Sequence, residues 1–388
     1  MRFKAFATII AAAAAAAVAV PAATAHAFER TGSVVGDALL RNLEGGGYAN
    51  AQAQSVSRES GNTILSGVSA ETAADGRALA IGRIVIADGF VNADNALVAD
   101  SVVYEDTAVA ADGTTASTVE RIVIDGVRFP GEGGGAGIAA LLGAFDTLSV
   151  SGIEARTDGG ETVSVAAVSA AVEERDPAEA VGGRIAVTGL SFDVSLWEEP
   201  LASRLRALGY DRLSLDLVAA GRWSAATGTA RIREARIAGE DLGALVLTAE
   251  AEGLTAATIA ALQANLDDVA GLLERLQAVS FASLTVSYED RGLAERLLGD
   301  IAGEAGVARP VLAERLGAAA GEAVAALGDA AFAEAVAQAA QNFLATPGTF
   351  AIAARPPQPV TAAQVIAASV VRPALLPGLL GLQVTATP

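Results

Sequence analysis

Cysteine is absent from the 388 residues, and histidine and methionine occur once each, as His26 and Met1; Lys4 is the single lysine. Without cysteine there is no disulfide, no thiolate nucleophile and no thiolate metal site. Where the three rare residues lie matters more. Arg2 and Lys4 form a basic head, the run 5–20 is apolar apart from Thr8, Pro21 ends it, and A-T-A-H-A places small residues at Ala25 and Ala27. This is the pattern of a secretory signal peptide with an A-x-A cleavage site. The apolar run is shorter than the roughly 20 residues of a membrane anchor. Cleavage after Ala27 leaves a chain that begins at Phe28 and has no His, Lys, Met or Cys. A Ser-His-Asp triad, a Schiff-base lysine, a Ser-Lys dyad, an imidazole zinc site and a lysine-bearing phosphate loop are then all excluded.

Positive charge is also scarce. Loss of Arg2 and Lys4 from the 26 basic residues leaves 24 Arg against 45 Asp and Glu, a formal charge of −21. Such a surface repels phosphate backbones and excludes nucleic acid as a partner. Aromatic residues make up 4% of the chain, too few for the aromatic girdles of an outer-membrane barrel. No second membrane span is expected. The Ala-rich stretch 317–340 is interrupted by Glu322, Asp329 and Glu334, and the apolar tail carries Arg372, Pro373 and Pro377. What is present is a 52% apolar composition rich in alanine, enough to bury a large core or two modest ones without any covalent staple.

Two hydrophobic periods divide the remainder. A short helical pattern at V-V-G-D-A-L-L-R-N-L-E opens it. From about Tyr48 to Glu252 the apolar residues alternate, as in Leu190, Phe192 and Val194 or Leu213, Leu215 and Leu217. Period two predicts strands with one buried face. Asp-Gly pairs at 75–76, 88–89, 112–113, 125–126 and 158–159 supply the positive φ of tight hairpins. The phrase R-I-V-I, at Arg83 and Arg121 and loosely at Arg184, reads as repeated strand-and-turn chemistry, its spacing being too irregular for a solenoid.

From Thr255 the period becomes helical, with Ile259, Leu262, Leu266, Val269, Leu273 and Leu276 on one face. Further helices are expected near 292–304, 310–327 and 329–345, with a helix stop at Gly328, a cap at Asp329, and a short helix after Thr361. Strands are expected near 280–288, 349–355 and 381–387. The fold class is therefore α+β: an antiparallel meander forming a long curved sheet over 28–253, with a helix-rich region over 254–388 packed on the same sheet.

Several motifs imitate chemistry. G-E-G-G-G-A (Gly131 to Ala136), with Glu154 some way on, has the form of a dinucleotide fingerprint. Pro130 precedes it, however, and no βαβ series surrounds it, so it reads as a turn and no cofactor is expected. N-A-D-N-A-L-V-A-D (Asn92 to Asp100) lacks calcium-loop spacing and reads as a hairpin turn. Asp290 stands where a helix cap is expected. Asp193, Glu198 and Glu199 beside Trp197 offer the paired carboxylates of a glycosidase-like hydrolase. The same Glu-Glu-Pro200 also fits a helix start, which assigns Trp197 and Trp223 to packing. No catalytic, cofactor or metal residue is therefore assigned.

G-Y-D-R-L-S-L-D-L-V-A-A-G-R-W-S with E-D-L-G-A-L-V-L-T-A-E-A-E-G-L, then F-A-S-L-T-V-S-Y-E-D-R-G-L-A-E-R-L-L and R-P-P-Q-P-V-T-A-A-Q-V-I-A-A-S, resembles exported alphaproteobacterial proteins of unassigned role. More distantly, these stretches are similar to AsmA-like envelope proteins. The resemblance implies a periplasmic, non-enzymatic role close to the membranes. A lipid or an envelope protein is then the expected partner, with a carboxylate hydrolase or a plain scaffold as alternatives. The intact mass of the exported chain is expected to correspond to a start at Phe28; a mass that retains residues 1–27 would contradict it.

Overall fold

The computed structural model describes residues 30–388 apart from 74–75, 112–113, 132–143, 158, 177–179 and 264–278. The leader, the glycine-rich 132–136 and the apolar stripe beyond Gln263 lie outside the described residues. The chain opens with α1 (Val34–Gly45), started by Ser33, whose hydroxyl accepts from Gly36 N. Nine strands follow: β1 (Tyr48–Glu59), β2 (Asn62–Thr72), β3 (Ala78–Ala87), β4 (Phe90–Val91), β5 (Leu97–Ala111), β6 (Thr114–Phe129), β7 (Thr147–Arg156), β8 (Thr162–Asp176) and β9 (Ala180–Asp193). Helix α2 (Leu201–Ala207) leads to β10 (Arg212–Ser224), β11 (Thr229–Gly239) and β12 (Gly243–Glu252). Next come α3 (Ala256–Gln263), β13 (Ser280–Asp290), α4 (Leu293–Ala305), α5 (Arg309–Ala325) and α6 (Ala330–Ala345). The chain closes with β14 (Thr349–Ala354), β15 (Val360–Thr361), α7 (Ala362–Val371), α8 (Leu376–Leu380) and β16 (Leu382–Thr387).

The strands form one open antiparallel sheet in chain order, except that β4 pairs only with β5, and β15 with β13. The α+β meander with C-terminal helices on its sheet is thus the observed fold. Two compact units divide the chain, one made of 1–175, 183–203 and 211–214, the other of 176–182, 204–210 and 215–388.

In the first unit the alternation breaks at a shared level on seven strands, β2, β3 and β5 to β9. Buried positions run Leu79, Ile81, then Ile84, Ile86 in β3, and Leu148, Val150, then Ile153, Ala155 in β7. A step of three replaces the step of two. At that level Gly67, Asp106, Gly152 and Gly189 have φ between 56° and 64°. The flanking pairs place Gly67 opposite Gly82, Gly82 opposite Asp106, Asp106 opposite Glu120, Glu120 opposite Gly152 and Gly152 opposite Ala166. A Cβ on Gly189 would lie 2.9 Å from Ala166 Cβ, which brings β9 into the same row. Left-handed residues on alternate strands turn the chain where the pleat would otherwise carry the next apolar side chain to the wrong side.

This row corrects the reading of the R-I-V-I phrase. Arg83 and Arg121 stand directly after the break, both paired with Glu105, whose carboxylate bridges them at 3.3 and 2.8 Å. The phrase marks mid-strand positions, and only after Arg83 does it run into a turn. Asp125-Gly126 likewise lies inside β6, with Gly126 at φ 62°. Asp88-Gly89 does connect β3 to β4, while the other three Asp-Gly pairs fall wholly or partly outside the described residues.

The second unit is built by local signals the sequence displays. Gly328 (φ 79°) stops one helix and the Asp329 carboxylate accepts from Phe332 N to start α6. Helices α5 and α6 approach closely because Gly317 and Gly321 face Ala337 and Gln341; a Cβ on Gly317 would lie 2.9 Å from Gln341 Cβ. Leu298, Ala302 and Leu312 form a small core between α4 and α5, with Ile301, Val307 and Leu344 against it.

Gly152→Ala is expected to cost about 2 kcal/mol or more, because the left-handed backbone itself costs about 1–3 kcal/mol for a side-chain-bearing residue and its Cβ would lie 2.6 Å from Glu120 Cβ. Asp106→Gly at the same level is expected to stay within about 0.5 kcal/mol of the parent. Urea unfolding curves decide both; an unchanged midpoint for Gly152→Ala would refute the strained row.

Candidate functional site

Two of the carboxylates singled out from sequence, Asp193 and Glu199, act as caps. Asp193 Oδ1 accepts from Ser195 N at 2.8 Å and starts a 3-10 turn over Val194–Leu196. Glu199 Oε2 accepts from Ser203 N at 3.1 Å in the first turn of α2, which follows Pro200 as expected. Trp197 stacks on Phe192 at 6.2 Å, and Trp223 Nε1 donates to Leu254 O at 2.6 Å. Asn92 accepts from Asp94 N and Ala96 N, the side-chain turn expected of that loop. Among the described residues no cluster of three His, Cys, Asp or Glu could hold a metal.

Asp290 also caps, and does more. Its two oxygens accept from Gly292 N and Ala294 N at 2.9 and 2.8 Å, and Tyr288 Oη lies 2.9 Å from Oδ1 and 2.5 Å from Leu242 O. Burial, reinforced by the Asp290 carboxylate, pushes the Tyr288 hydroxyl well above its ordinary range, so it stays a neutral donor. In the first unit, Arg128 and Arg175 hold the Asp146 carboxyl below the usual range, the Arg128 hydrogen bond being the strongest influence.

One concavity of about 520 Å³ lies over the left-handed row, where Gly152, Ala166 and Gly189 leave room. Asp106, Glu120 and Glu154 stand on its walls with Thr118 and Ser164, and no cation lines it. It is open and acidic, without the buried apolar lining of a small-molecule site.

A second surface has a different character. In the second unit the cross-strand row Ile237, Leu245, Tyr288, Phe350 and Ala386 runs from β11 to β16. The next row is Ala235, Leu247, Val286, Ile352 and Val384, and the one after it holds Ile232, Ala249, Leu284, Ala354 and Leu382. Directly paired residues point to the same side of a sheet, so these three rows carry no charged residue across five strands, and Asp290, paired with Gly243, closes that side in the row beyond Tyr288. The other side carries Arg231–Glu250 and Arg236–Glu289 ion pairs at 2.7 and 2.8 Å, with Ser283, Thr285, Ser287 and Gln383.

Helix α6 covers part of the apolar side, Phe343 meeting the Tyr288 and Phe350 rings at 6.0 and 5.7 Å. The rest is bare. Ile232, Ile237, Leu245, Phe281, Leu284 and Ile352 are 36–48% exposed, on four consecutive strands of the sheet order. At about 4.8 Å between strands and 3.4 Å per residue along them, the bare area is roughly 15 by 20 Å. Large contiguous apolar surface of this kind marks an interaction site.

Residues 236–387 match the model of a family described as uncharacterized protein. That span contains all but one of the six bare side chains. No curated protein matches the chain. No helix among the described residues is long and apolar enough to cross a membrane.

Part of this site was legible beforehand, since Leu284, Val286 and Tyr288 alternate visibly with serine and threonine. What the sequence did not disclose is which alternating residues lack a cover. For Asp290, the loss of the carboxylate that accepts from two backbone N–H groups makes Asp290→Ala cost about 1–2 kcal/mol, with Asp290→Asn recovering most of it, in equilibrium urea unfolding. A cost below about 0.5 kcal/mol would contradict the cap.

Proposed function

We propose that this chain is a periplasmic envelope protein without catalytic activity of its own, and that it holds an apolar ligand, a lipid gripped by its tails, against the bare side of the β11–β14 sheet. The single observation behind this reading is the set of three charge-free, half-exposed rows on a sheet whose reverse carries the ion pairs. Leader-like residues 1–27 support export, and the absence of cysteine leaves nothing for an oxidising compartment to cross-link.

The energetics favour a chain-like ligand over a compact polar one. Each methylene withdrawn from water contributes about 0.8 kcal/mol, so a sixteen-carbon tail supplies up to roughly 13 kcal/mol before its ordering is subtracted. No directed hydrogen bonds are required, and the surface offers none apart from those of Tyr288, which are already made within the protein. The carboxylate hydrolase has no comparable support, because Asp193 and Glu199 are occupied as caps.

Native mass spectrometry of protein recovered from its own cells is expected to show a lipid-sized adduct. The double variant Leu245→Asp/Ile352→Asp is expected to lose it while melting close to the parent, since both side chains are nearly half exposed. Apo protein alone, an adduct indifferent to the two substitutions, or a stoichiometric protein partner in its place would each reject the reading.

A further inference from the structure

Helix α7 is oriented against expectation. Its start is well made: Thr361 Oγ1 accepts from Gln364 N, and Gln364 Oε1 accepts from Thr361 N at 2.8 Å, a complete capping box. Yet not one of its residues is buried. A ten-residue helix is marginal alone and normally relies on an apolar face packed into the protein. Here the face Ala363, Ile366, Ala367, Val370 and Val371, at helical spacing, is turned to solvent, Val370 at 78% and Val371 at 74% exposure, with Leu375 exposed just beyond.

We propose that α7 is a membrane-surface anchor, lying in the headgroup boundary of a bilayer with Ile366, Val370, Val371 and Leu375 inserted. Charge selects the bilayer. No Asp or Glu follows Glu334, so residues 335–388 carry only Arg355 and Arg372 in a chain whose net charge is −19. An anionic lipid surface repels the rest of the protein and admits this part. Arg372, exposed at the end of the stripe, is placed to reach back to headgroups while its stem stays in the apolar layer. Size argues against a protein occupant. A helix about 15 Å long presents roughly 200 Å² of apolar stripe, well short of the about 800 Å² per partner of a stable interface. The helix also starts beside the bare sheet: Val360 pairs with Phe281 and Thr361 with Ser280. The anchor stands on its own observations, whatever occupies that sheet.

Flotation of the exported protein with vesicles of phosphatidylcholine containing about a quarter phosphatidylglycerol tests it. The parent is expected to float. Val370→Asp/Val371→Asp is expected to lower the partition coefficient about tenfold or more, with far-UV circular dichroism and melting unchanged. Arg372→Glu is expected to lower it about threefold, and only on vesicles with the anionic lipid. A parent that stays in the dense fraction, a double variant that floats equally well, or sedimentation showing a dimer that the double variant dissociates would each overturn the proposal. The lipid adduct seen by native mass spectrometry is expected to survive Val370→Asp/Val371→Asp, so anchor and ligand site fail separately.

Discussion

An antiparallel sheet built from one-sided strands must cover its apolar side, and every other feature of this molecule answers to that requirement. With no disulfide to hold the chain, burial is the only force available at scale. In the first unit, residues such as Leu65, Ile84, Val102, Ile122 and Ile124 are buried almost completely. In the second, α6 covers one end of the rows, and side chains at the other end stay 36–48% exposed. The half-covered side is where the protein has apolar surface available for something else.

Local chemistry was the legible part of the sequence. Asp329 after Gly328, Thr361 three residues before Gln364, and Asp290 before an apolar run all start helices where their side chains can reach free backbone N–H groups. The later strands near Leu284, Ile352 and Val384 were legible for the same reason, since alternation is a property of neighbours in the chain. Burial is a different matter. Leu245 and Leu213 sit in similar alternating contexts, yet Leu213 is 3% exposed and Leu245 48%. Nothing within either strand distinguishes them, because burial depends on what packs against the strand and not on the strand's own pattern.

The left-handed row shows a second limit. A break of alternation at one level of seven strands is visible in each strand only as two apolar residues spaced three apart, which resembles noise until the strands are aligned by their pairing. The recurring arginine phrase reads as strand followed by turn; its strand part is observed at Arg83 and Arg121, and a turn follows only the first. Gly126 has the positive φ expected of its Asp-Gly pair, and Gly152, outside any such pair, has it too; both use it inside strands.

That row has a consequence for how strands find their partners. In an ordinary sheet a slip of one residue moves every apolar side chain to the wrong face, whereas a slip of two preserves the faces and is punished only weakly. Here a slip of two would set Gly152 against Thr118 or Ile122, positions whose neighbours follow the unbroken pleat, and the two strands would bend at different heights. Even-numbered misalignments are therefore rejected as firmly as odd ones. The row acts as a proofreading mark for assembly, a single level at which each arriving strand is checked against the last.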